Sequence, residues 1–160
     1  MIKVYTNNNL KKILEDKNIT EYTPAYSGES VGLDLYATQK VDIQPATVLG
    51  GERGSTIATG LHIALPKSHA GLILERGSVT KTPLKVRAGV IDPGYTGEIF
   101  VNAVNVSDMT YIIKEGDKLP FQIVVVKCDH DFQVIEEDEY LEITKSSLRQ
   151  GGQVGSSDKK

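Results

Sequence analysis

The chain has 160 residues, enough for one domain with a substantial core, and its formal net charge of −3 argues against a nucleic-acid partner, which selects a basic surface. No apolar run approaches the roughly 20 residues that span a bilayer, and a single cysteine, Cys128, allows no intrachain disulfide. We therefore expect an intracellular, cytoplasmic protein (in the host cytoplasm or nucleus if the source is a virus), with no membrane and no nucleic acid among its partners.

The predicted elements are mostly short strands, in which runs of Val, Ile and Leu are separated by Gly, Pro, Asn and Asp. A helix is predicted from Leu10 to Lys17, with Asn9 or Asn8 as its cap. Strands are predicted at Ile2–Tyr5, Gly32–Ala37, Val41–Ile43, Ala46–Leu49, Gly54–Leu65, Ala70–Glu75, Lys85–Val90, Gly97–Asn105, Tyr111–Ile113, Phe121–Val126 and Phe132–Ile135. Many short strands at this spacing indicate an all-β sandwich, jelly roll or barrel.

Alternation of period two is clearest within the strand Gly54–Leu65. There Ile57, Leu61, Ile63 and Leu65 share one face, which predicts that this face is buried. Because only 6% of the residues are aromatic and none is tryptophan, the core is expected to be largely aliphatic.

The last stretch, SSLRQGGQVGSSDKK, differs in composition from the rest of the chain. It is rich in Gly and Ser and has few large apolar residues, so it cannot bury enough surface to offset its ordering entropy. We expect residues 1–145 to form one β domain and residues 146–160 to be flexible. This segment is either a frayed tail or an arm whose backbone N–H groups, with the guanidinium of Arg149, close around phosphate oxygens.

The central run RAGVIDPGYTGEI, from Arg87 to Ile99, places a carboxylate at the end of an apolar strand. Proline and glycine after Asp92 are typical of a type II turn, in which an aspartate usually bonds only its own backbone. The alternative is chemical. A carboxylate on a stiff hairpin beside Tyr95 could hold a water molecule against a nucleotide.

Three further segments place polar side chains in or beside apolar strands. Asp34 lies inside GLDLYA, where a carboxylate must be exposed or paired. In ERGS, Arg76 and Ser78 form either a surface salt bridge with a turn or a phosphate clamp. Gln122, the polar residue in PFQIVVV, is either a satisfied core amide or a functional group.

Taken together and in this order, the polar segments resemble the five motifs of the trimeric deoxyuridine triphosphate nucleotidohydrolases (dUTPases). The resemblance covers most of the chain, and the third segment is its most specific part. The five segments are VGLDLYA (Val31–Ala37), ERGSVT (Glu75–Thr80), RAGVIDPGYTGEI (Arg87–Ile99), GDKLPFQIVV (Gly116–Val125) and RQGGQVGSS (Arg149–Ser157).

The resemblance implies a jelly-roll barrel of β-clip type that forms a homotrimer, with a C-terminal arm closing over each active site. The implied reaction is hydrolysis of dUTP to dUMP and pyrophosphate, which limits incorporation of uracil into DNA and supplies dUMP. The implied cofactor is Mg²⁺, held by the substrate phosphates and by waters with no direct protein ligand. Asp34 is at most an outer-shell partner of that ion.

The resemblance also implies roles for individual residues. Asp92 matches the carboxylate that deprotonates the water attacking the α-phosphorus, and Tyr95 matches the ring packed under the deoxyribose. The backbone around Gly89 and Val90 matches the part that reads the uracil edge and excludes a methyl group at C5. The positions matching phosphate contacts are Arg76, Gly77, Ser78 and Gln122, and those matching the closing arm are Arg149, Val154, Gly155 and Ser156.

Two departures from the family pattern affect these expectations. Gly77 stands where the second motif normally has serine, so a hydroxyl contact is lost or shifted to Ser78. Val154 stands where the fifth motif normally has an aromatic ring over the uracil. Because stacking of a base on an aromatic ring is worth about 1–3 kcal/mol, we expect weaker closure of the arm and tighter analogue binding in Val154→Phe.

Two other functions fit parts of the sequence. A dCTP deaminase shares the fold and a similar hairpin, but its chemistry needs a glutamate on the following strand, where this chain has Asn102. A non-catalytic or regulatory nucleotide-binding module would suit the altered second and fifth motifs. The intact hairpin with Asp92 and Tyr95, together with Gln122, favours the hydrolase over the non-catalytic module, and Asn102 argues against the deaminase.

Overall fold

The computed structural model describes residues 1–26, 28–47, 54–87, 89–129 and 131–147. The chain divides into two units, Met1–Asp129 and His130–Lys160. Among the described residues, no helix combines the length and apolar character needed to cross a bilayer.

The first unit is built mainly of strands. Its described elements are β1 (Lys3–Thr6), α1 (Asn8–Asp16), β2 (Gly32–Tyr36), β3 (Val41–Ile43), β4 (Ser55–Ala64), β5 (His69–Glu75), a 3₁₀ helix (Gly77–Lys81), β6 (Leu84–Arg87), β7 (Val90–Ile91), β8 (Glu98–Asn105), β9 (Tyr111–Ile113) and β10 (Lys118–Lys127).

The strands form two four-stranded antiparallel sheets, in the orders β1-β4-β8-β6 and β2-β10-β5-β7, and β3 pairs with β9. The neighbours in each sheet are mostly distant in sequence, which is the crossing topology of a jelly roll. The predicted all-β jelly-roll fold is therefore confirmed. The fully buried side chains at the centre include Leu35, Ile57, Ile99, Phe121 and Ile123.

Strand β4 shows how the sequence pattern specifies the packing. Ile57, Leu61, Ile63 and Leu65 are at most 8% exposed, as the alternation predicts. The strand bends at Gly60, whose φ of 67° is a left-handed conformation that favours glycine. The register between β4 and β8 shifts at this point, so the bend is a bulge that keeps the apolar face directed inwards.

Helix α1 begins at Asn8, two residues earlier than predicted, and ends at Asp16. Asn7, rather than Asn8 or Asn9, is its N-cap, because its backbone is extended and its side chain accepts a hydrogen bond from Leu10 N at 3.0 Å. The helix buries Leu10, Ile13 and Leu14, which lie on one face at helical spacing.

Two predicted strands of the first unit differ from the structure. The segment predicted as Lys85–Val90 is divided between β6, which pairs with β8, and β7, which pairs with β5. The chain thus passes from one sheet to the other within this segment. In the predicted strand Ala46–Leu49, residues 46 and 47 form a turn, and residues 48 and 49 lie outside the described residues.

The second unit contains helix α2 (Glu137–Ser146), which the sequence reading missed. No residue of α2 is buried, and its large apolar residues, Tyr140, Leu141 and Ile143, are too few to give a long apolar stripe. The available signal was charge: the first turn carries three acidic residues and the last turn carries Lys145, which complements the helix dipole.

The predicted strand Phe132–Ile135 is wrong, because these residues form no strand in the structure. Phe132 and Val134 are 95% and 97% exposed, so the apolar residues of this segment are not part of a half-buried sheet face. The division into a 1–145 domain and a 146–160 arm stays a prediction, since residues 148–160 lie outside the described part of the chain.

Candidate active site

The turn Asp92–Tyr95 joins β7 to the segment that leads into β8. It is closed by a hydrogen bond from Tyr95 N to Asp92 O at 3.0 Å. Gly94 does not adopt the positive φ that a type II turn requires at its third position. The expected type II turn is therefore wrong, and the conformation of Gly94 is one that other residues can adopt.

The carboxylate of Asp92 is exposed at the tip of this hairpin. In the part of the chain that the structure describes, no side chain pairs with it and no backbone N–H of its own loop binds it. The reading in which Asp92 only fastens its turn requires such a bond. The geometry thus leaves both carboxylate oxygens available to a ligand or a water molecule.

Tyr95 is held in a fixed position beside the turn. Its hydroxyl donates a hydrogen bond to Glu98 O at 2.6 Å. Its ring lies against Gly97, where a Cβ atom would come within 2.8 Å of Tyr95 Oη and 2.9 Å of Cζ. The ring remains 40% exposed, so it presents a preoriented aromatic face to solvent.

Gly89 attaches the start of this hairpin to β5. Its carbonyl accepts a hydrogen bond from Ile73 N at 2.8 Å, and a Cβ at Gly89 would lie 2.8 Å from Ile73 O. Only glycine allows the two backbones to approach so closely. The next side chain, Val90, is 67% exposed.

A second cluster of polar residues lies at the opposite end of β5. Arg76 directly follows this strand, and its Nε is 2.7 Å from Oδ1 of Asp34 on β2. Lys118, at the start of β10, contacts Oδ2 of the same carboxylate. The side chains of Asp34, Arg76 and Lys118 are 12%, 25% and 39% exposed. One carboxylate thus faces two cations, and the cluster keeps a net positive charge.

Tyr22 supports this cluster from the N-terminal segment. Its hydroxyl donates a hydrogen bond to the main-chain oxygen of Asp34. Burial raises the pKa of the Tyr22 phenol, with smaller contributions from Tyr36 and Asp34, so it remains a neutral donor.

Gln122 lies beside Asp34 in the same sheet. It is in register with Asp34 on β2 and with Leu74 on β5. Its amide donates a long hydrogen bond to Glu75 O at 3.4 Å. Its Oε1 lies 1.9 Å from the position of a Cβ at Gly32, so a side chain at position 32 would displace the Gln122 amide.

Gly77 and Ser78 begin the 3₁₀ helix for which Arg76 is the N-cap. Both residues are exposed, and the first N–H groups of a helix have no partner within it. A Cβ at Gly77 would have no atom within 4 Å. Nothing in the local packing therefore requires glycine at position 77.

The expected site residues form two separate groups in the structure. Arg76, Gly77, Ser78 and Gln122 meet around the end of β5. The hairpin lies at its start: Gly71 is opposite Ile91, so that Asp92 follows opposite residue 70. At about 3.3 Å per residue, Asp92 and Arg76 are separated by roughly 20 Å along the strand. This exceeds the combined reach of their side chains.

The expected arm residues, Arg149, Val154, Gly155 and Ser156, lie outside the described residues. The sequence reading missed Lys118 and Tyr22. Lys118 could have been suspected as a basic residue at the start of the fourth motif, but its contact with Asp34 depends on the pairing of β2 with β10. Tyr22 lies before the first motif and carried no signal.

The described residues contain no group of three or more His, Cys, Asp or Glu side chains that could hold a metal ion. Asp34, the proposed outer-shell residue, already contacts Arg76 and Lys118.

Known proteins resemble this chain along most of its length. A family model described as dUTPase matches residues 17–158. The deoxyuridine 5'-triphosphate nucleotidohydrolase of Dictyoglomus turgidum is 35% identical over 131 residues, covering 77% of this chain and 81% of the relative. That of Eremothecium gossypii is 30% identical over 151 residues, covering 94% and 92%.

The fold comparison gives the same result. A mutant of the Staphylococcus bacteriophage 80alpha dUTPase with dUpNHpp superposes with a TM-score of 0.73 at 20% identity and covers 98% of both chains. This likeness concerns the fold. The match to the family model over most of the chain, together with the 35% identical relative, shows that the chain belongs to the dUTPase family.

Proposed function

We propose that this chain hydrolyses dUTP to dUMP and pyrophosphate, with Asp92 as the general base. The observation that carries this proposal is the exposed Asp92 carboxylate, which no described residue binds, on a hairpin that also fixes the ring of Tyr95. Family membership supports the same reaction, since the relatives compared above are named for it. In a cell this activity would limit the incorporation of uracil into DNA and supply dUMP.

In the proposed mechanism, Asp92 orients a water molecule and accepts its proton as the water attacks the α-phosphorus in line with the departing pyrophosphate. A base must lie within hydrogen-bond reach of the proton it removes, and the position of Asp92 at the hairpin tip allows this. Tyr95 would pack under the deoxyribose, where a 2′-hydroxyl would clash. The backbone at Gly89 and Val90 would read the uracil edge and leave no room for a methyl group at C5.

The cationic cluster would bind the triphosphate. Arg76 supplies a forked donor, and Gly77 and Ser78 supply exposed backbone N–H groups beside it. Gln122 would add an amide contact. We propose that the substrate is the Mg²⁺ complex of dUTP, in which the ion neutralises phosphate charge and Asp34 is at most an outer-shell partner.

We also propose that the active protein is a homotrimer with shared sites. Asp92 and Arg76 lie roughly 20 Å apart within one copy, at the strand rise of about 3.3 Å per residue. This separation exceeds the combined reach of the two side chains and favours a site in which they come from different copies. The arm residues Arg149, Val154 and the Gly155–Ser156 backbone would then close over the assembled site.

A substrate panel tests this function. We expect Mg²⁺-dependent pyrophosphate release from dUTP, none from dCTP or dTTP, and loss of release in Asp92→Asn. Ammonia release from dCTP would favour a deaminase. We do not expect it, since Asn102, an amide packed against Gly54, stands where that reaction needs a carboxylate. Binding of dUTP without turnover would favour the non-catalytic module and overturn the proposal.

A further inference from the structure

Lys118 lies on the opposite side of the Asp34 carboxylate from Arg76. Oδ1 of Asp34 is 2.7 Å from Arg76 Nε, whereas Oδ2 contacts Lys118 Nζ. A carboxylate that is only 12% exposed needs a compensating charge, but one cation would be sufficient. The second cation leaves the cluster with a net charge of the sign that attracts phosphate.

The contact with Lys118 also determines how Asp34 binds Arg76. A carboxylate with two free oxygens tends to accept two parallel hydrogen bonds from one edge of a guanidinium, which is bidentate binding. Here Oδ2 contacts Lys118, and the contact of Arg76 Nε is with Oδ1. The guanidinium makes its other described contact through Nη1, to Leu119 O at 3.2 Å. Neither of these contacts uses Nη2.

The position of Asp34 is fixed from two further directions. Tyr22 donates its hydroxyl hydrogen to the main-chain oxygen of Asp34, and β2 is paired with β10 at Gln122. The carboxylate therefore cannot move far as a whole when one partner is lost. It can rotate, and rotation towards Arg76 is the movement that Lys118 opposes.

We propose that Lys118 is a positioning residue for the triphosphate site. By engaging Oδ2 of Asp34, it keeps the contact of Asp34 with Arg76 monodentate and leaves Nη2 of the guanidinium available to a phosphate oxygen. This inference rests on the proposed function, because it assumes that Arg76 binds the phosphates of dUTP. It predicts that loss of Lys118 weakens substrate binding and leaves the chemical step intact.

The test compares Lys118→Met and Lys118→Arg with Lys127→Met. Lys127 is a matched control, since it lies at the other end of β10 and is also paired with a carboxylate, that of Asp129 at 3.5 Å. We expect Lys118→Met to raise KM for dUTP about tenfold, within the range of coupling between contacting charged groups, with kcat unchanged. Lys118→Arg restores KM, and Lys127→Met does not change it.

A double-substitution cycle tests the route through Asp34. If Lys118 acts through this carboxylate, Lys118→Met in an Asp34→Asn background changes KM by less than about twofold. An equal effect in both backgrounds would overturn the positioning role, as would an unchanged KM in Lys118→Met. So would a fall in kcat that Lys118→Arg does not restore. If the methionine variant does not fold, Lys118→Ala takes its place.

The dissociation constant of a non-hydrolysable dUTP analogue separates failure of this inference from failure of the proposed function. If the wild-type chain binds the analogue but releases no pyrophosphate from dUTP, hydrolysis is refuted. The ratio of the dissociation constant of Lys118→Met to that of the wild-type chain then still decides the role of Lys118. If hydrolysis occurs and the ratio is one, the role of Lys118 alone is refuted. If the wild-type chain does not bind the analogue, both are overturned.

Discussion

An aspartate from a neighbouring segment lies near each end of strand β5. The environments of the two carboxylates are opposite. Asp92, near its start, is exposed, and no described residue binds its side chain. Asp34, near its other end, is 12% exposed and faces Arg76 and Lys118. The difference follows from burial, because a carboxylate removed from water must be compensated by the protein, whereas one in water need not be.

The two aspartates therefore have different roles, structural for Asp34 and chemical for Asp92. The charge of Asp34 is already satisfied within the protein, so its main effect is on its neighbours and on stability. The charge of Asp92 is satisfied only by solvent or by a ligand. We therefore expect substitutions at the two positions to affect different measured quantities.

The largest effect is expected for Asp92→Asn. An amide cannot accept the proton of the attacking water, so kcat for dUTP should fall by about 10²–10⁴-fold, the usual contribution of a general base. The free energy of unfolding should change by less than about 0.5 kcal/mol, because the side chain is exposed. Asp108→Asn, at another exposed aspartate, is the control. A variant that retains wild-type turnover would refute the role of Asp92 as base.

Asp34→Asn, unlike Asp92→Asn, should destabilise the fold. It leaves two cations without their shared carboxylate, and we expect the free energy of unfolding to fall by about 1–3 kcal/mol, measured in urea. The control is Asp42→Asn, which removes a surface pair with Lys40 at 3.1 Å. It should cost less than about 0.5 kcal/mol. Equal losses in the two variants would mean that the cluster contributes no more than a surface pair.

A smaller effect is expected for Gly97→Ala. The added Cβ would displace the Tyr95 ring, which lies 2.9 Å from that position at Cζ. Because overpacking of this kind costs about 1–3 kcal/mol, we expect KM for dUTP to rise several-fold. Gly94→Ala is the control, since a Cβ there meets no atom within 4 Å. If both variants bind dUTP as well as the wild-type chain, the orientation of Tyr95 does not matter for binding.

The smallest effect is expected for Gly77→Ser. A side chain fits at this position, and a hydroxyl could add one contact to phosphate. A hydrogen bond is worth about 0.5–1.5 kcal/mol net, so the analogue should bind up to several-fold more tightly. Gly77→Ala should leave binding unchanged. Weaker binding in both variants would show that the bare backbone of Gly77 is itself required.

The fold was largely predictable because its signals are local. The alternation in the predicted strand Gly54–Leu65 placed Ile57, Leu61, Ile63 and Leu65 on the buried face, and they are buried. Predictions failed where the result depends on tertiary pairing or has no apolar signal. The segment Lys85–Val90 is split because its two ends pair with strands of different sheets, and α2 has no buried face.

The candidate site shows the same limit. Its motifs singled out Asp92, Tyr95 and Arg76 as candidates from the sequence, because Asp92 and Arg76 directly follow apolar runs and Tyr95 closes the turn after Asp92. The contact of Lys118 with Asp34 could not be predicted, because it requires the register between β2 and β10. The separation of the site into two groups at opposite ends of β5 likewise depends on the antiparallel pairing of β5 with β7.

The most direct test of the shared site is to co-express two inactive variants, Asp92→Asn and Arg76→Ala, in equal amounts. Each variant carries a different affinity tag. If Asp92 and Arg76 act on one nucleotide from different copies, random trimers should recover about one quarter of wild-type activity. About three quarters of the trimers contain both variants, and about one site in three is complete in each of these. Absence of any recovered activity in trimers purified through both tags would contradict the account.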